Sequence, residues 1–429
     1  MTRMLAVLAW GWCAAFPLAG LGAGLLLFGD GALFSYAVAA ADSWDFHFRQ
    51  IPARAAAWAL TAGLGEAVTR LAGAPEAGVL AFHAAFLALP ALGLAATLAA
   101  DRTGRILPWA CASAALLLPL VFGFPTELWV AHAAFWPALA LGWHAAPLPW
   151  LALALGITAL SHEAGLLWAV GLVGLLALAP GWRPLRRGAL ALLPALAGFA
   201  LLKLAVRPDP YVAEVMGRVG AGFFQWRPAL APLLLTIAAV LSGWLLLAPL
   251  TRWAPVLVAA ALVAWWASGL APLHAEGRYF ARTLLFLGAA LLAFGAALHA
   301  RGWLPRPRRD WRPALLLVTL VHAGEAARFT AGWLGHAAAV RALAATPGAG
   351  PIAGTVLPAA SAPFAWHSTL PFLSVMLAPG LAPARLVVDP ASDYFWFGCA
   401  QARRNAASGR ALPGATRAAV ARHACAGRP

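Results

Sequence analysis

Long, uninterrupted apolar runs dominate this sequence, and they leave few folds open to it. A helix of about twenty apolar residues matches the hydrocarbon thickness of a bilayer. In this chain 62% of the residues are hydrophobic and only 10% are charged, and no water-soluble domain has an interior that could hide so much apolar surface. We therefore predict an all-α polytopic membrane protein. Its eleven apolar runs cover about 5–28, 78–99, 106–122, 128–145, 148–160, 164–180, 188–206, 229–249, 254–272, 281–299 and 313–334.

The arginines orient these spans. Basic residues close to a membrane span stay on the cytoplasmic side, and arginine supplies all but one of the 30 basic residues. Alternate loops hold Arg3, Arg102, Arg105, Arg183, Arg186, Arg187, Arg252, Arg301, Arg306, Arg308, Arg309 and Arg312. This pattern predicts a multi-pass protein with a cytoplasmic N-terminus and an extracytoplasmic C-terminus. The excess of arginine, alanine and glycine is typical of a GC-rich bacterial genome, so we expect the bacterial inner membrane.

The charged residues also bear on partners. The net charge of +15 does not indicate nucleic acid, because the arginines flank apolar spans and form no basic stripe with interleaved aromatic residues. Membrane lipids are the expected partners. Of fifteen acidic residues, only Asp101 and Asp310 fall in loops assigned to the cytoplasm. Carboxylates are costly near a membrane, so their gathering on the outer side indicates that function resides there.

The spans and their loops suggest two domains. Residues 1–334 form the membrane domain, and its first outer loop, 29–77, carries an interfacial helix at about 52–72. Residues 335–429 form a small extracytoplasmic C-terminal domain. Strand-like pieces at 351–357 and 385–389 give it a mixed α/β character. Cys399 and Cys425 both lie in it, and an extracytoplasmic location permits a disulfide between them.

The stretch 147–180 is too long to be a single span. As one helix it would rise about 50 Å, well beyond a hydrocarbon core of about 30 Å, and it would place the arginines at 183–187 on the wrong side. A break at 161–165 resolves both problems and puts His162 and Glu163 at a helix junction in the membrane. Ionisable groups there indicate acid–base work, metal binding or the holding of a phosphate-bearing headgroup. The alternative is that they only satisfy backbone groups at the junction.

A second candidate group lies in the first outer loop. Asp42 and Asp45 are three residues apart and face the same side of a helical turn. His47 and Arg49 follow and supply a proton carrier and a partner for an anion. The functional interpretation is a general base that deprotonates an acceptor hydroxyl. The structural alternative is a hydrated loop whose shape an Asp–Arg pair fixes.

A third group opens the tenth span from the outer side, at Glu276, Arg278, Tyr279 and Arg282. Two arginines one helical turn apart present forked donors that match phosphate or pyrophosphate oxygens. Anchoring to anionic lipid, or pairing with Glu276, is the alternative.

Two further groups lie on other spans. Glu127 begins the fourth span and His132 follows along it, where both could contact substrate. Glu325 and Arg328, three apart on the eleventh span, predict an ion pair within the bundle.

This arrangement resembles the GT-C superfamily of polytopic glycosyltransferases, which use polyprenyl-phosphate-linked sugars. The resemblance rests on the inside N-terminus, on Asp42 and Asp45 in a long first outer loop, on the helix at about 52–72 and on the terminal segment. It covers the general plan of residues 1 to about 334. In several members two acidic residues are adjacent, whereas here Ser43 and Trp44 separate them.

The resemblance implies a membrane glycosyltransferase with a lipid-linked sugar donor. Asp45 or Asp42 would take the proton of an acceptor hydroxyl, and Arg278 with Arg282 would hold the phosphate of the donor. The acceptor would be an envelope glycan, lipid or protein on the extracytoplasmic face. The residues that shape the sugar pocket would be Glu127, His162 and Glu163.

Other functions stay open at this point. A lipid-glycan polymerase or ligase would also grip pyrophosphate at the outer face. A transporter would place polar groups through the midplane and prefer two related halves, and a non-enzymatic assembly protein would tolerate alanine at every candidate position. No P-loop, HExxH, GxSxG or CxxC pattern occurs, so no cofactor and no metal site is indicated, although the carboxylates are compatible with a divalent metal. The oligomeric state is not encoded in any pattern we recognise.

Overall fold

The computed structural model describes residues 2–46, 48, 51–205, 275–304, 312–366, 369–389, 403 and 411–426, and this part of the chain is mostly helical. The predicted spans at 229–249 and 254–272 lie outside the described residues. The helices, numbered in chain order, are α1 (Thr2–Gly22), α2 (Asp30–Ala39), α3 (Ser43–Phe46), α4 (Ala55–Leu60), α5 (Ala62–Ala72), α6 (Pro75–Ala100), α7 (Leu107–Leu116), α8 (Leu128–Trp143), α9 (Leu148–Ala159), α10 (Glu163–Leu175), α11 (Arg183–Ala205), α12 (Ala275–Arg301), α13 (Arg312–Ala344), α14 (Leu370–Leu377) and α15 (Gly414–Cys425).

Membrane-crossing character is evident in several of these helices. In the described part of the chain, four helical stretches are long and apolar enough to cross a bilayer: Arg3–Gly22, Pro75–Ala100, Arg183–Ala205 and Leu284–Arg301. Shorter apolar stretches are Leu107–Val121, Leu128–Trp143, Leu148–Ala159 and Glu163–Leu178. The chain is therefore a helical membrane protein. Helices occupy each predicted span that falls within the described residues, although α1 ends at Gly22 rather than near residue 28.

Small residues set the closest packing in the bundle. Helix α6 contacts α1, α2, α5 and α8. A Cβ on Gly93 of α6 would lie 2.5 Å from the carbonyl oxygen of Ala133 on α8, and a Cβ on Gly65 of α5 would lie 2.7 Å from the carbonyl oxygen of Gly78. Backbones approach this closely only where a side chain is missing or very small, as is common between membrane helices.

The predicted break near residue 161 is confirmed. Helix α9 ends at Ala159 and α10 begins at Glu163. With 12 and 13 residues, the two helices rise only about 18–20 Å each. His162 occupies the N-cap position of α10, and its Nδ1 accepts a hydrogen bond from the backbone N–H of Ala164 at 3.0 Å. The break therefore has a polar cap of its own.

The first outer loop is more helical and more buried than the sequence suggested. Its predicted interfacial helix is divided into a 3-10 turn at Pro52–Arg54, then α4 and α5. Helix α2, which the apolar pattern did not distinguish from the loop, is buried at every position from Gly31 to Ala39. The side chain of Glu66 on α5 holds the start of α3 in place, because it accepts hydrogen bonds from the backbone N–H and the hydroxyl of Ser43 at 2.8 and 2.5 Å.

The C-terminal segment lies against this loop. Two short strands, β1 (Ile352–Ala353) and β2 (Val387–Val388), pair in parallel, within the pieces that the sequence predicted. Phe372 of α14 contacts Tyr36 of α2, with ring centroids 5.0 Å apart. Cys425 at the end of α15 is disulfide-bonded, and Cys399 lies outside the described residues.

One of the two acidic residues that the sequence assigned to cytoplasmic loops has a structural explanation, and the other, Asp310, lies outside the described residues. Asp101 follows α6, and its Oδ2 accepts the backbone N–H groups of Ile106 and Leu107 at 2.7 and 2.8 Å where α7 begins. Burial acts to raise its pKa, but these bonds, with those from Thr103 and His144, hold the pKa of Asp101 below its usual range. This carboxylate therefore caps a helix.

Candidate functional site

Arg54 joins three parts of the chain that are far apart in sequence. It ends the 3-10 turn Pro52–Arg54, and its Nη1 donates to Oε1 of Glu127 at 2.8 Å. Its Nε donates to Oε2 of Glu163 at 3.1 Å. Glu127 immediately precedes α8 and Glu163 is the first residue of α10. One guanidinium thus holds two carboxylates at the ends of two helices.

A second cation borders this pair. Nζ of Lys203, near the end of α11, lies 3.7 Å from Oε1 of Glu163. The side chains are mostly buried, with exposed fractions of 19% for Arg54, 6% for Glu127 and 22% for Glu163. Water therefore screens their charges poorly, and each ion depends on its partners for compensation. The Oε1 atom of Glu163 is buried and accepts no hydrogen bond from the described residues.

Asp30 is the carboxylate that the structure adds and that our interpretation of the sequence did not single out. It is the first residue of α2 and lies within electrostatic range of Arg282, Glu127 and Arg54. Its Oδ1 is buried and has no hydrogen-bond partner in the described part of the chain. Burial raises the pKa of Asp30 to about 7, because the two arginines offset only part of the cost and Glu127 adds to it.

Two glycines force Asp30 into this position. Gly29 has φ 60° and ψ −132°, a backbone conformation that is open almost only to glycine. A Cβ on Gly31 would lie 1.7 Å from the carbonyl oxygen of Leu26, so no larger residue fits there. The detectable sequence signal was therefore Gly29-Asp30-Gly31 directly after the first apolar run.

Arg282, one of the predicted phosphate-binding residues, also lies beside this site. It belongs to the first part of α12, and its guanidinium lies over the ring of Phe124, 5.5 Å from the centroid. The electrostatic influence of Arg282 extends to Asp30 and to His162. The side chains of the other residues predicted with it lie outside the described residues: Glu276, Arg278 and Tyr279. The same holds for His47 and Arg49.

The remaining predicted residues are placed differently. Asp45 is exposed on α3 and Asp42 precedes that helix, half-buried. His132 lies inside the bundle, where its Nε2 forms a hydrogen bond of 2.7 Å with the hydroxyl of Ser113 on α7. Trp136, one turn along α8, donates to the same nitrogen at 3.4 Å.

We call the group at the meeting point of these elements the polar cluster, consisting of Asp30, Arg54, Glu127, His162, Glu163, Lys203 and Arg282. Five of its members lie where α8, α10 and α12 begin and α11 ends, and Asp30 and Arg54 join them from the segment between α1 and α4, so they gather at one end of the bundle. The cluster combines fixed positive charge with Asp30, a half-buried residue whose Oδ1 is buried and whose pKa is raised to about 7. Among the described residues, no group of three or more His, Cys, Asp or Glu side chains is arranged to hold a metal ion.

Comparisons with known proteins give no relatives: no family model, no curated protein and no solved structure matches this chain. The fold and the site together define a helical membrane protein with a half-buried, ion-paired polar cluster at one end of its bundle.

Proposed function

We propose that this protein is a membrane glycosyltransferase that moves a sugar from a polyprenyl-phosphate donor to an acceptor hydroxyl on the extracytoplasmic face. The observation that carries the proposal is the buried Oδ1 of Asp30, which has no hydrogen-bond partner among the described residues, beside the positive charge of Arg282. A base and a cation in one water-poor site are what glycosyl transfer from a phosphate requires.

The chemistry follows from these two groups. Asp30 in its ionised form takes the proton of the acceptor hydroxyl while that oxygen bonds to the anomeric carbon of the donor sugar. The bond between the anomeric carbon and the phosphate oxygen breaks, and its electron pair leaves with the lipid phosphate. The positive charge of Arg282 stabilises that developing negative charge. A pKa of about 7 suits a general base, because the base must be ionised yet retain affinity for a proton.

The ion pairs of Arg54 serve a positioning role in this proposal. Arg54 fixes Glu127 and Glu163 at 2.8 and 3.1 Å, and so joins the first outer loop to the ends of α8 and α10. Glu127 lies within electrostatic range of Asp30, and Oε1 of Glu163, which accepts no hydrogen bond from the described residues, offers an acceptor to a sugar hydroxyl. A divalent metal is not required by the step.

An apolar groove supports a lipid-linked donor. The groove, of about 480 Å³, lies between α6, α8 and α9, and its lining includes Leu60 of α4 and Ile157 of α9. The backbone N–H of Ala56, two residues after Arg54, donates to the carbonyl oxygen of Leu160 at 2.9 Å. The groove and the polar cluster are therefore carried by the same two elements, since Leu60 follows Arg54 on the chain and Ile157 precedes His162, and a polyprenyl chain in the groove would present its phosphate towards the cluster.

The arginine pattern supports the extracytoplasmic placement. The helix ends that carry the polar cluster are those that the basic loops assign to the outer side of a bacterial inner membrane. A disulfide at Cys425 agrees with an oxidising compartment for the C-terminal segment.

Transfer by purified protein tests the proposal. The full-length chain in proteoliposomes would be given undecaprenyl-phosphate-linked glucose, galactose, mannose and N-acetylglucosamine, with lipid and glycan fractions from a strain that lacks the gene as acceptors. Mass spectrometry would follow the sugar. We expect Asp30→Asn to slow transfer by about a hundredfold or more, and Glu76→Gln, at an exposed outer carboxylate, to leave it unchanged.

Asp45→Asn provides the comparison that assigns the base. If Asp45→Asn abolishes transfer and Asp30→Asn does not, Asp45 is the base and the assignment to Asp30 is wrong. If no sugar leaves any donor, and lipid-linked glycans of the deletion strain equal those of the parent, the protein is not a glycosyltransferase of this kind.

A further inference from the structure

The C-terminal segment brings aromatic rings to the edge of the polar cluster. Trp366 lies just after the 3-10 turn Ala359–Phe364. Its ring centroid is 5.7 Å from that of Phe124 and 6.1 Å from that of Phe28. Phe364 contacts Phe28 as well, at 6.4 Å. The segment is thus anchored to Phe28, the residue before the first outer loop, and to Phe124, before α8, through a shared set of rings.

Trp366 comes within one residue of Asp30. A Cβ built on Gly29 would lie 3.6 Å from Cδ2 of Trp366 and 3.1 Å from Cε2 of Phe124. The indole therefore lies over the backbone of Gly29, directly next to the proposed base. The guanidinium of Arg282 lies over the same Phe124 ring, 5.5 Å from its centroid. Indole and guanidinium thus both lie against Phe124, and the indole is next to the residue that precedes Asp30.

The rings differ in accessibility. Phe28 and Phe124 are fully buried, with 0% and 1% of their surface exposed, so they serve packing. Trp366 is half-buried, so of these three rings it is the one that is not enclosed in the core. A buried aromatic support beneath a partly open tryptophan is suited to binding a flat apolar surface.

We propose that Trp366 is the platform on which the sugar ring of the donor stacks. This inference rests on the proposed function and deepens it by naming the residue that recognises the sugar. The C–H bonds on one face of a pyranose carry slight positive charge, and the face of an indole is negative. The hydroxyls at the edge of such a ring would remain directed towards the carboxylates of the polar cluster.

Binding of donor lipids to the full-length protein in nanodiscs tests the platform. The probes are undecaprenyl phosphate bearing glucose, galactose, mannose or N-acetylglucosamine, and bare undecaprenyl phosphate as reference. The measured quantity is the preference, which is the Kd of the bare lipid divided by the Kd of the best sugar-bearing lipid. Trp366→Leu keeps an apolar side chain but removes the ring, and Trp366→Phe keeps a ring.

We expect Trp366→Leu to reduce the preference about tenfold, the scale of one aromatic contact, while the Kd of bare undecaprenyl phosphate stays the same. Trp366→Phe should retain most of the preference. Trp182→Leu, at a tryptophan with 70% of its surface exposed between α10 and α11, should behave as the parent. A melting temperature equal to that of the parent confirms that each variant is folded.

Two other outcomes are distinct. The platform assignment is wrong, while the proposed function stands, if the parent prefers a sugar-bearing lipid and Trp366→Leu keeps that preference in full. The same conclusion follows if Trp366→Phe loses as much of the preference as Trp366→Leu. If the parent shows no preference for any sugar-bearing lipid, the proposed donor and the platform are both wrong.

Discussion

Nη1 of Arg54 lies 2.8 Å from Oε1 of Glu127, although 73 residues separate the two along the chain. The same guanidinium contacts Glu163, 109 residues from Arg54. A local helix could not provide these pairs, so they exist only if the first outer loop docks on the ends of α8 and α10. The contact is therefore both an electrostatic compensation and a structural link.

Removing that link should destabilise the protein strongly. Arg54→Met leaves two largely buried carboxylates without their main partner, and loss of one partner from a buried ion pair typically costs about 3–5 kcal/mol. We expect a loss of that size in the free energy of unfolding, measured with denaturant in detergent micelles. Arg70→Met removes an exposed arginine that pairs with Glu66 in the same loop and should cost well under half as much.

The compensating variant shows whether charge is the cause. In the triple variant Arg54→Met, Glu127→Gln and Glu163→Gln, the two carboxylates that Arg54→Met leaves without their main partner become neutral amides, so most of the lost stability should return. Equal instability of the single and triple variants would contradict this account, because it would mean that Arg54 acts through packing alone.

Asp30 should make stability depend on pH in a direction unusual for an aspartate. Its pKa is raised from an ordinary 3.8 to about 7, so between these values the folded chain holds a proton that the unfolded chain releases. The free energy of unfolding should therefore fall as pH rises through that window, by up to about 1.4 kcal/mol per pH unit from this group. The unfolding of the parent and of Asp30→Asn would be compared at several pH values.

The difference between parent and variant isolates Asp30 from the other titrating groups. Since the side-chain amide of the Asp30→Asn variant cannot titrate, the parent should lose stability relative to the variant as the pH rises from about 4 to about 7. Parallel curves for the two proteins would show that Asp30 is not held in a buried, uncompensated environment.

His336 is a residue whose replacement should stabilise the protein, unlike that of Arg54. It is buried in α13 with 1% of its surface exposed, and neither ring nitrogen has a hydrogen-bond partner in the described residues. A buried polar group without a partner costs about 1–3 kcal/mol, so His336→Leu should raise the melting temperature. His132→Leu is the matched control: it removes the 2.7 Å bond to Ser113 and should lower the melting temperature. A lower melting temperature for His336→Leu would show that the imidazole has a partner.

The sequence was sufficient for features that depend on length and local spacing. The break before Glu163 followed from helix length and from the arginines at 183–187, and the structure confirms it. The pair Glu325–Arg328 followed from a three-residue step and is present at 2.8 Å. Both depend on the rise and period of a single helix, which are the same in every protein.

The charged network could not be predicted in this way. Nothing in the spacing of Arg54, Glu127 and Glu163 shows that they meet, because their contact depends on how the loop docks. Asp30 was counted only as one of the acidic residues on the predicted outer side. Its environment depends on α2, whose buried residues share the composition of the preceding span and so gave no separate signal.

Gly31 is the position at which a single methyl group should disturb the proposed site. A Cβ there would lie 1.7 Å from the backbone carbonyl oxygen of Leu26 and 2.7 Å from Cγ of Pro125, so Gly31→Ala must move the start of α2. Overpacking of this kind costs about 1–3 kcal/mol, and it should also displace Asp30 and slow sugar transfer. Gly22→Ala is the control, because nothing lies within 4 Å of a Cβ at that position. The free energy of unfolding and the rate of sugar transfer would be measured for both variants. If Gly31→Ala equals Gly22→Ala in both quantities, the close approach of Leu26 does not hold Asp30 in place.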